Sequence, residues 1–194
     1  MVIIENGGAN LASLRYALDR LGARSLVSAD PATVAAAPRV LLPGVGAAAD
    51  AMVRLRAAGL IDCIQNLRQP LLGICLGMQL LFAHSDEGDT AGLGLLPGRV
   101  RRLPSAGGQP VPHMGWNTCR QLRESSLLAG LRQDDYFYFA HSYAAPMAEH
   151  TTAATAYGVP MSAVVQRQNF HGVQFHPERS AAAGAQLLRN FLEL

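Results

Sequence analysis

Lysine is absent from the 194-residue sequence, in which arginine supplies all 16 basic residues. This absence excludes the P-loop lysine of nucleotide hydrolases, the Schiff-base lysine of pyridoxal enzymes and any Ser-Lys catalytic pair. Charge is sparse as well, because charged residues make up 15% of the chain and the net charge is +2. A nucleic-acid-binding protein needs a basic surface, so nucleic acid is not an expected partner.

Cysteine is scarce, and long apolar runs are missing. The three cysteines, Cys63, Cys75 and Cys119, are far apart and form no CxxC pair, so we expect neither a disulfide framework nor a metal site, and no cofactor. The N-terminus lacks the charged and apolar regions of a signal peptide. The strongest apolar run, residues 70–83, is shorter than the roughly 20 residues that cross a membrane. We therefore expect a cytoplasmic protein with no membrane partner.

Short apolar segments alternate with segments of helical periodicity. Strands are predicted near residues 2–5, 25–28, 39–42, 70–74, 98–103, 111–115, 136–139, 161–166 and 169–175. Helices are predicted near residues 11–21, 47–57, 76–83 and 180–192, the last with Ser180 as its N-cap. This alternation is typical of an α/β fold with a mainly parallel central sheet flanked by helices. Because no linker or repeat interrupts the chain, we predict a single domain over residues 1–194.

The motif Gly73-Ile74-Cys75-Leu76-Gly77 stands between a predicted buried strand and a predicted helix. A nucleophile flanked in this way by glycines is typical of a nucleophile elbow, a strained turn that projects the side chain from the carboxyl edge of the sheet. The helix dipole there favours a thiolate, and the Leu76 N–H can donate to an oxyanion. Cys75 is therefore the candidate nucleophile. Most cysteines are simply buried core residues, and we keep that interpretation for Cys63 and Cys119.

A candidate base follows the last predicted strand, in the sequence His176-Pro177-Glu178. Residues i and i+2 of an extended segment lie on the same side, so Glu178 can hold the His176 imidazole in one tautomer. Taken alone, this short pattern also fits a solvent-exposed turn. His113 and His171 have no acidic neighbour in the sequence, which makes them weaker candidates.

The segment Pro43-Gly44-Val45-Gly46 joins a predicted strand to a predicted helix. In a parallel sheet it lies at the same carboxyl edge as Cys75, where its N–H groups can complete an oxyanion hole. The glycine-rich segment at residues 92–98 does not open a helix, so we interpret it as a loop.

Several motifs together resemble a known family. Pro-Gly-Val-Gly at 43–46, Gly-Ile-Cys-Leu-Gly-Met-Gln at 73–79 and Gln-Phe-His-Pro-Glu at 174–178 resemble the signatures of class I glutamine amidotransferases. The segments at 92–98, 111–117 and 136–143 are similar to those of the glutaminase subunits of imidazole glycerol phosphate synthase. The resemblance runs in order from residue 2 to the C-terminus. It implies a flavodoxin-like class I amidotransferase fold.

The resemblance also implies a reaction. Cys75 would attack the side-chain amide of L-glutamine, His176 would protonate the departing ammonia and then activate water, and Glu178 would orient His176. The oxyanion would be held by the backbone N–H groups of Leu76 and Gly46. The implied glutamine-binding residues are Gly44, Gln79, Glu87, Ser142 and Tyr143, of which Glu87 would meet the substrate ammonium.

The implied partner is a synthase (cyclase) subunit, a (β/α)-barrel protein of histidine biosynthesis. It would use the ammonia to convert a phosphoribulosyl-carboxamide ribotide into imidazole glycerol phosphate and an aminoimidazole-carboxamide ribotide. We expect the partner surface near Asn10, Trp116, Tyr138 and Arg179, where Arg179 replaces the lysine common in the family. We also expect low basal hydrolysis that partner and acceptor raise, with the Val45-Gly46 peptide as the switch.

Two alternatives stay open. A glutaminase that serves another amidating synthase would have the same triad and a different partner. A non-catalytic binding member of the fold is the other alternative, although all three triad residues are present here.

Overall fold

The computed structural model describes residues 1–7, 11–105 and 109–194. The strands are β1 (Val2–Ile4), β2 (Leu26–Ser28), β3 (Val40–Gly44), β4 (Leu71–Cys75), β5 (Phe82–Ser85), β6 (Thr90–Ala91), β7 (Leu96–Arg102), β8 (His113–Thr118), β9 (Arg120–Gln121), β10 (Tyr136–His141), β11 (Tyr143–Ala144), β12 (Thr151–Tyr157), β13 (Val159–Arg167) and β14 (Phe170–Val173). The helices are α1 (Leu11–Arg20), α2 (Pro31–Ala35), α3 (Ala48–Ala57), α4 (Leu60–Gln65), α5 (Leu76–Leu80) and α6 (Ala181–Glu193), with 3₁₀ turns at Glu87–Asp89, Ser126–Leu128 and Pro177–Arg179.

An eight-stranded sheet in the order β2-β1-β3-β4-β14-β13-β12-β9 forms the centre of the fold. The strands from β2 to β14 pair in parallel, and those from β14 to β9 pair antiparallel. The predicted mainly parallel sheet with flanking helices is confirmed, with an antiparallel extension on one side. Two smaller sheets have the strand orders β10-β8 and β11-β7-β5-β6.

The central strands are buried on both faces, which is why they read as continuous apolar runs. Ile3 and Ile4 are neighbours in β1, and they belong to two different apolar clusters because successive side chains point to opposite faces. Leu14 of α1 and Leu187 of α6 pack in the cluster of Ile3. Met52 of α3 packs in the cluster of Ile4. Each fully buried side chain of this kind contributes about 1.5–3 kcal/mol.

Some sequence predictions of local structure were wrong. The helix predicted over 76–83 ends at Leu80, and the chain continues as strand β5 from Phe82. Leu80, Leu81 and Phe82 are all buried, and an apolar run buried on every side has no periodicity that separates helix from strand. Helix α4 and strand β12 were not predicted. Strand β12 consists of Thr and Ala up to its final Tyr157, so it lacks large apolar side chains.

Ser180 precedes α6 as predicted, but its hydroxyl serves a different purpose. The Ser180 hydroxyl donates to the carbonyl oxygen of His176 at 2.7 Å, and its oxygen accepts from the backbone N–H of Tyr138 at 3.0 Å. The side chain therefore joins the candidate base to β10 instead of capping the helix. Among the described residues, no helix has the length and apolar character needed to cross a membrane.

Candidate active site

Cys75 lies where β4 runs directly into α5. Its backbone has φ +54° and ψ −110°, a conformation that is strained for a residue other than glycine. The flanking glycines permit this junction. A Cβ on Gly73 would lie 2.6 Å from the Gly77 carbonyl oxygen, and one on Gly77 would lie 1.7 Å from the Leu42 carbonyl oxygen. The sequence therefore forms an elbow because only glycine lets α5 approach β3 and β4 so closely.

The segment after β3 lies at the same edge of the sheet as Cys75. Gly44 is the register partner of Cys75 in the parallel pair β3-β4. A Cβ on Gly44 would lie 3.0 Å from the Leu76 Cβ, so this glycine permits a close approach to α5. Gly46 has φ +88°, a conformation that glycine adopts without strain.

His176 and Glu178 follow β14, which pairs in parallel with β4 and ends at the same edge. The Nδ1 of His176 lies 2.9 Å from Oε1 of Glu178, and the two side chains are only 11% and 8% exposed. The backbone N–H of His176 donates to the carbonyl oxygen of Tyr138 at 2.8 Å. Main-chain and side-chain bonds thus fix the imidazole in one place.

The electrostatics of His176 favour the charged imidazolium. Burial acts to lower the pKa of His176, but hydrogen bonds to Cys75 and Glu178, together with their negative charges, raise it to about 10. A positive imidazolium beside a cysteine sulfur is the arrangement that keeps a thiolate nucleophile and a proton donor ready together.

A cleft of about 240 Å³ opens beside Cys75. The two predicted oxyanion-hole residues and four of the five predicted glutamine-binding residues line it: Gly46, Leu76, Gln79, Glu87, Ser142 and Tyr143. Gly44 instead lines a second cleft of about 190 Å³, together with His176, Glu178 and Arg179. Val45 and Ala140 line both clefts, so these two residues lie between them.

Two polar side chains of the first cleft are held by neighbours. The Oε2 of Glu87 accepts a hydrogen bond from the Ala48 N–H at 2.8 Å, which places a carboxylate at the N-terminus of α3. The Nε2 of Gln79 donates to the Tyr143 carbonyl oxygen at 2.7 Å and to Gln174 Oε1 at 3.0 Å. Among the described residues, no cluster of His, Cys, Asp or Glu side chains is suited to hold a metal ion.

Comparison with known proteins places this geometry in a family. The sequence model described as "Glutamine amidotransferase class-I" matches residues 2–194. The chain belongs to the class-I glutamine amidotransferase family. It is 56% identical over 194 residues to "Imidazole glycerol phosphate synthase subunit HisH" of Xanthomonas campestris pv. campestris (strain 8004), covering 100% of this chain and 97% of that protein. It is 52% identical over 193 residues to the protein of the same name in Mannheimia succiniciproducens, covering 100% and 99% of the two chains.

The fold of this amidotransferase also matches solved structures at low identity. A structure titled as a glutamine amidotransferase matches with a TM-score of 0.76 at 19% identity, over 99% of this chain and 97% of that one. The structure of PurLQS from Thermotoga maritima matches with a TM-score of 0.74 at 17% identity, over 99% and 96% of the two chains. These likenesses confirm the class I amidotransferase fold.

Three of the four residues predicted for the partner surface lie together on the amidotransferase. Trp116 and Tyr138 are register partners in β8-β10, and their rings meet edge to face at 5.9 Å. The Arg179 guanidinium lies over the Tyr138 ring, 4.4 Å from its centroid. Trp116 is 53% exposed. Asn10, the fourth, lies outside the described residues.

Sequence reasoning missed some polar residues of the site. Gln174 is fully buried, and its Nε2–H donates to the Cys75 Sγ at 3.8 Å. Its position two residues before His176 in an extended segment was a usable signal, because such residues share a side. His113 and His141 pair with each other, and that contact depends on the pairing of β8 with β10, which no local pattern reveals.

Proposed function

We propose that this chain hydrolyses glutamine to glutamate and ammonia, with Cys75 as nucleophile, His176 as general acid and base, and Glu178 as the group that orients His176. One observation carries the proposal: Cys75 occupies a strained elbow beside an imidazolium that a buried carboxylate holds by its Nδ1. Such an arrangement supports nucleophilic attack on an amide.

The Cys75 sulfur attacks the amide carbon of the glutamine side chain and forms a tetrahedral intermediate. The N–H groups of Leu76 and Gly46, which line the cleft, stabilise its oxyanion. His176 gives its proton to the departing ammonia, which leaves a thioester on Cys75. The neutral imidazole then takes a proton from water as the water attacks the thioester, so that glutamate is released and the thiolate and imidazolium are restored.

Residues of the first cleft bind the substrate. The Glu87 carboxylate pairs with the ammonium of glutamine, while Gln79, Ser142 and Tyr143 line the same cleft and contact the rest of the substrate. Gly44 contributes through close packing. Because Gly44 has no Cβ, the first residues of α5, with their backbone N–H groups, can approach β3.

We propose that the ammonia passes to a cyclase subunit with a (β/α)-barrel fold, because relatives of 52–56% identity are named as subunits of imidazole glycerol phosphate synthase. The pair would make imidazole glycerol phosphate and an aminoimidazole-carboxamide ribotide for histidine biosynthesis in the cytoplasm. The surface of Trp116, Tyr138 and Arg179 suits such a partner, because it combines the exposed ring of Trp116 and the half-buried ring of Tyr138 with an arginine. Residues 1–194 act as one domain in this proposal, and the Val45-Gly46 peptide is its switch.

The test measures glutamate release from glutamine by the chain alone, with the cyclase subunit, and with the cyclase plus its ribotide ligand. We expect release to rise with partner and ligand and to vanish in Cys75→Ala. Cys63→Ala is the matched control, because Cys63 is half-buried and its Sγ contacts the Pro31 carbonyl oxygen far from the elbow. Full activity in Cys75→Ala would refute the nucleophile, and activity insensitive to the cyclase would point to a different synthase.

A further inference from the structure

A chain of hydrogen bonds enters the site from β8. The Asn117 Nδ2 lies 3.4 Å from Nε2 of His113. The Nδ1 of His113 lies 3.1 Å from Nε2 of His141, and Nδ1 of His141 lies 2.8 Å from the Tyr143 carbonyl oxygen. The chain thus reaches the wall of the glutamine cleft, which Tyr143 lines.

The same carbonyl joins this chain to the nucleophile. The Tyr143 carbonyl oxygen also accepts from Nε2 of Gln79 at 2.7 Å. That Nε2 has a second hydrogen, which it donates to Oε1 of Gln174 at 3.0 Å. The Nε2 of Gln174 then donates to Sγ of Cys75 at 3.8 Å. A continuous path therefore runs from Asn117 to the sulfur.

Only one arrangement of hydrogens satisfies this path. A carbonyl oxygen can only accept, so the hydrogen of His141 must be on Nδ1. A neutral imidazole has one N–H, so Nε2 of His141 accepts and Nδ1 of His113 donates to it. Nε2 of His113 then accepts from Asn117. The amides of Gln79 and Gln174 are fixed in the same way, because each must present its NH₂ group toward an acceptor.

Burial makes the arrangement costly to break. His113, His141, Gln79 and Gln174 are each no more than 6% exposed. The His113 ring stacks on Phe139 and Tyr157, with centroids 4.7 and 4.0 Å away. Burial lowers the pKa of His113 to about 4 and that of His141 to about 3, so both rings are neutral at pH 7. A buried polar network of this kind is stable only while every member keeps its partner.

We propose that this chain positions the glutaminase site, with Gln174 holding the Cys75 sulfur and the pair His113–His141 holding the Tyr143 carbonyl and the Gln79 amide. The inference rests on the proposed function. Both acceptor positions of the Tyr143 carbonyl are filled, so the cleft wall keeps one orientation. The N–H of Gln174 donates more strongly to a thiolate than to a thiol, so Gln174 stabilises the reactive form of Cys75.

The two ends of the chain have different kinetic signatures in the complex with the cyclase subunit and its ligand. In His113→Phe the ring shape remains but the donor to His141 is lost. We expect the KM for glutamine to rise about tenfold, the effect of roughly one buried hydrogen bond, with kcat changed less than about twofold. His113→Asn restores most of the affinity, because its Nδ2 takes the place of Nδ1.

At the other end, Gln174→Met keeps the length of the side chain and removes the donor to sulfur. We expect kcat to fall about tenfold. KM should rise less than in His113→Phe, because Gln79 loses its bond to Gln174 Oε1 but keeps the one to the Tyr143 carbonyl oxygen. The rate at which iodoacetamide alkylates Cys75 at pH 7, followed by peptide mass spectrometry, falls by a similar factor. Burial raises the pKa values of Cys63 and Cys119, and separate peptides distinguish them from Cys75.

Matched controls are His150→Phe and Gln69→Met. His150 is a buried histidine whose ring meets Phe82 edge to face, and Gln69 donates to main-chain carbonyls of α2. Both lie outside the chain of hydrogen bonds, so their KM and kcat should match those of the wild type. If His113→Phe does not fold, Asn117→Ala tests the same end, because Asn117 is half-buried and donates to His113.

The proposal is overturned if folded His113→Phe and Gln174→Met retain the wild-type KM, kcat and alkylation rate. It is also overturned if their activity falls only in step with the folded fraction and KM does not move, since that indicates a purely structural role. Failure of the proposed function has a different signature: an inactive wild type, or an active Cys75→Ala. The alkylation rate still tests Gln174 in that case.

Discussion

The substitution Gly77→Ala tests the packing that creates the elbow. Alanine in place of glycine inside a helix ordinarily stabilises a protein by about 0.5–1 kcal/mol, since glycine has more conformational freedom to lose. Here the added Cβ would lie 1.7 Å from the Leu42 carbonyl oxygen, whereas ordinary contact begins at 3.4 Å. Helix α5 and strand β3 would have to separate by about 1.7 Å. The structure therefore predicts the opposite sign.

The expected magnitude follows from that displacement. Overpacking of a well-packed core costs about 1–3 kcal/mol. Because the added Cβ would clash with the main-chain carbonyl of Leu42, which cannot rotate away as a side chain can, we expect about 3 kcal/mol. The same shift moves Cys75 and the Leu76 N–H relative to Gly46, across the cleft. A misplacement of about 1 Å typically costs about 100-fold in rate, so kcat/KM should fall at least that far.

Urea unfolding and the glutaminase assay with the cyclase subunit measure the two effects. Gly94→Ala is the control, because an added Cβ there meets no described atom within 4 Å and φ is +69°. It should lose about 1 kcal/mol from the left-handed conformation alone and keep its activity. If Gly77→Ala is as stable and active as the wild type, helix α5 does not pack on β3 as described and the explanation of the elbow is wrong.

Three further predictions concern charge. Glu178→Gln should lower the pKa of His176 from about 10 toward its ordinary value, measured by NMR titration, and reduce kcat at least about 100-fold. Because the pKa of His176 in the folded state lies above its unfolded value of 6.5, the stability that His176 contributes to the fold is complete below pH 6.5 and is lost as pH rises through about 10. Urea unfolding of the wild type should show this decline in stability. An equal decline in His176→Gln would contradict it. Glu87→Gln should raise the KM for glutamine about tenfold. Its amide oxygen still accepts from Ala48, and loss of the charge at the N-terminus of α3 costs at most about 1 kcal/mol, so a much larger drop in the unfolding free energy would argue against this account.

The position of the candidate nucleophile was predictable because parallel strands end at one edge of a sheet. The motifs of Gly44, Cys75 and His176 each follow an apolar strand, and β3, β4 and β14 are neighbours in the order that brings them together. The role of Gly73 and Gly77 was predictable as well, since glycine on either side of a nucleophile indicates that helix and strand approach each other closely. These inferences needed local pattern and one rule of sheet geometry.

The remaining features depend on contacts between distant segments. Strand β12 has small and polar side chains that are nonetheless buried from Thr151 to Thr155, so its sequence lacks the usual signal of a buried strand. Serine is a residue type that favours N-caps, but the hydroxyl of Ser180 bonds to the Tyr138 N–H and the His176 carbonyl instead of to the helix. The neutral pair His113–His141 forms because β8 and β10 pair in one register. That register cannot be predicted from the sequence of either segment alone.

Strand β10 links these features, since its main chain contacts the site while the side chains of Tyr136 and Tyr138 are exposed and half-buried, respectively. The Tyr138 carbonyl accepts from the N–H of His176, and the Ala140 carbonyl oxygen lies 3.8 Å from the Cys75 sulfur. The Tyr138 ring packs against Trp116 and Arg179 on the proposed partner surface. Tyr138 therefore contacts the proposed partner surface through its ring and the backbone of the candidate base through its carbonyl oxygen. A displacement of the Tyr138 main chain would move the His176 backbone with it, which adds a second route to the proposed switch at the Val45-Gly46 peptide.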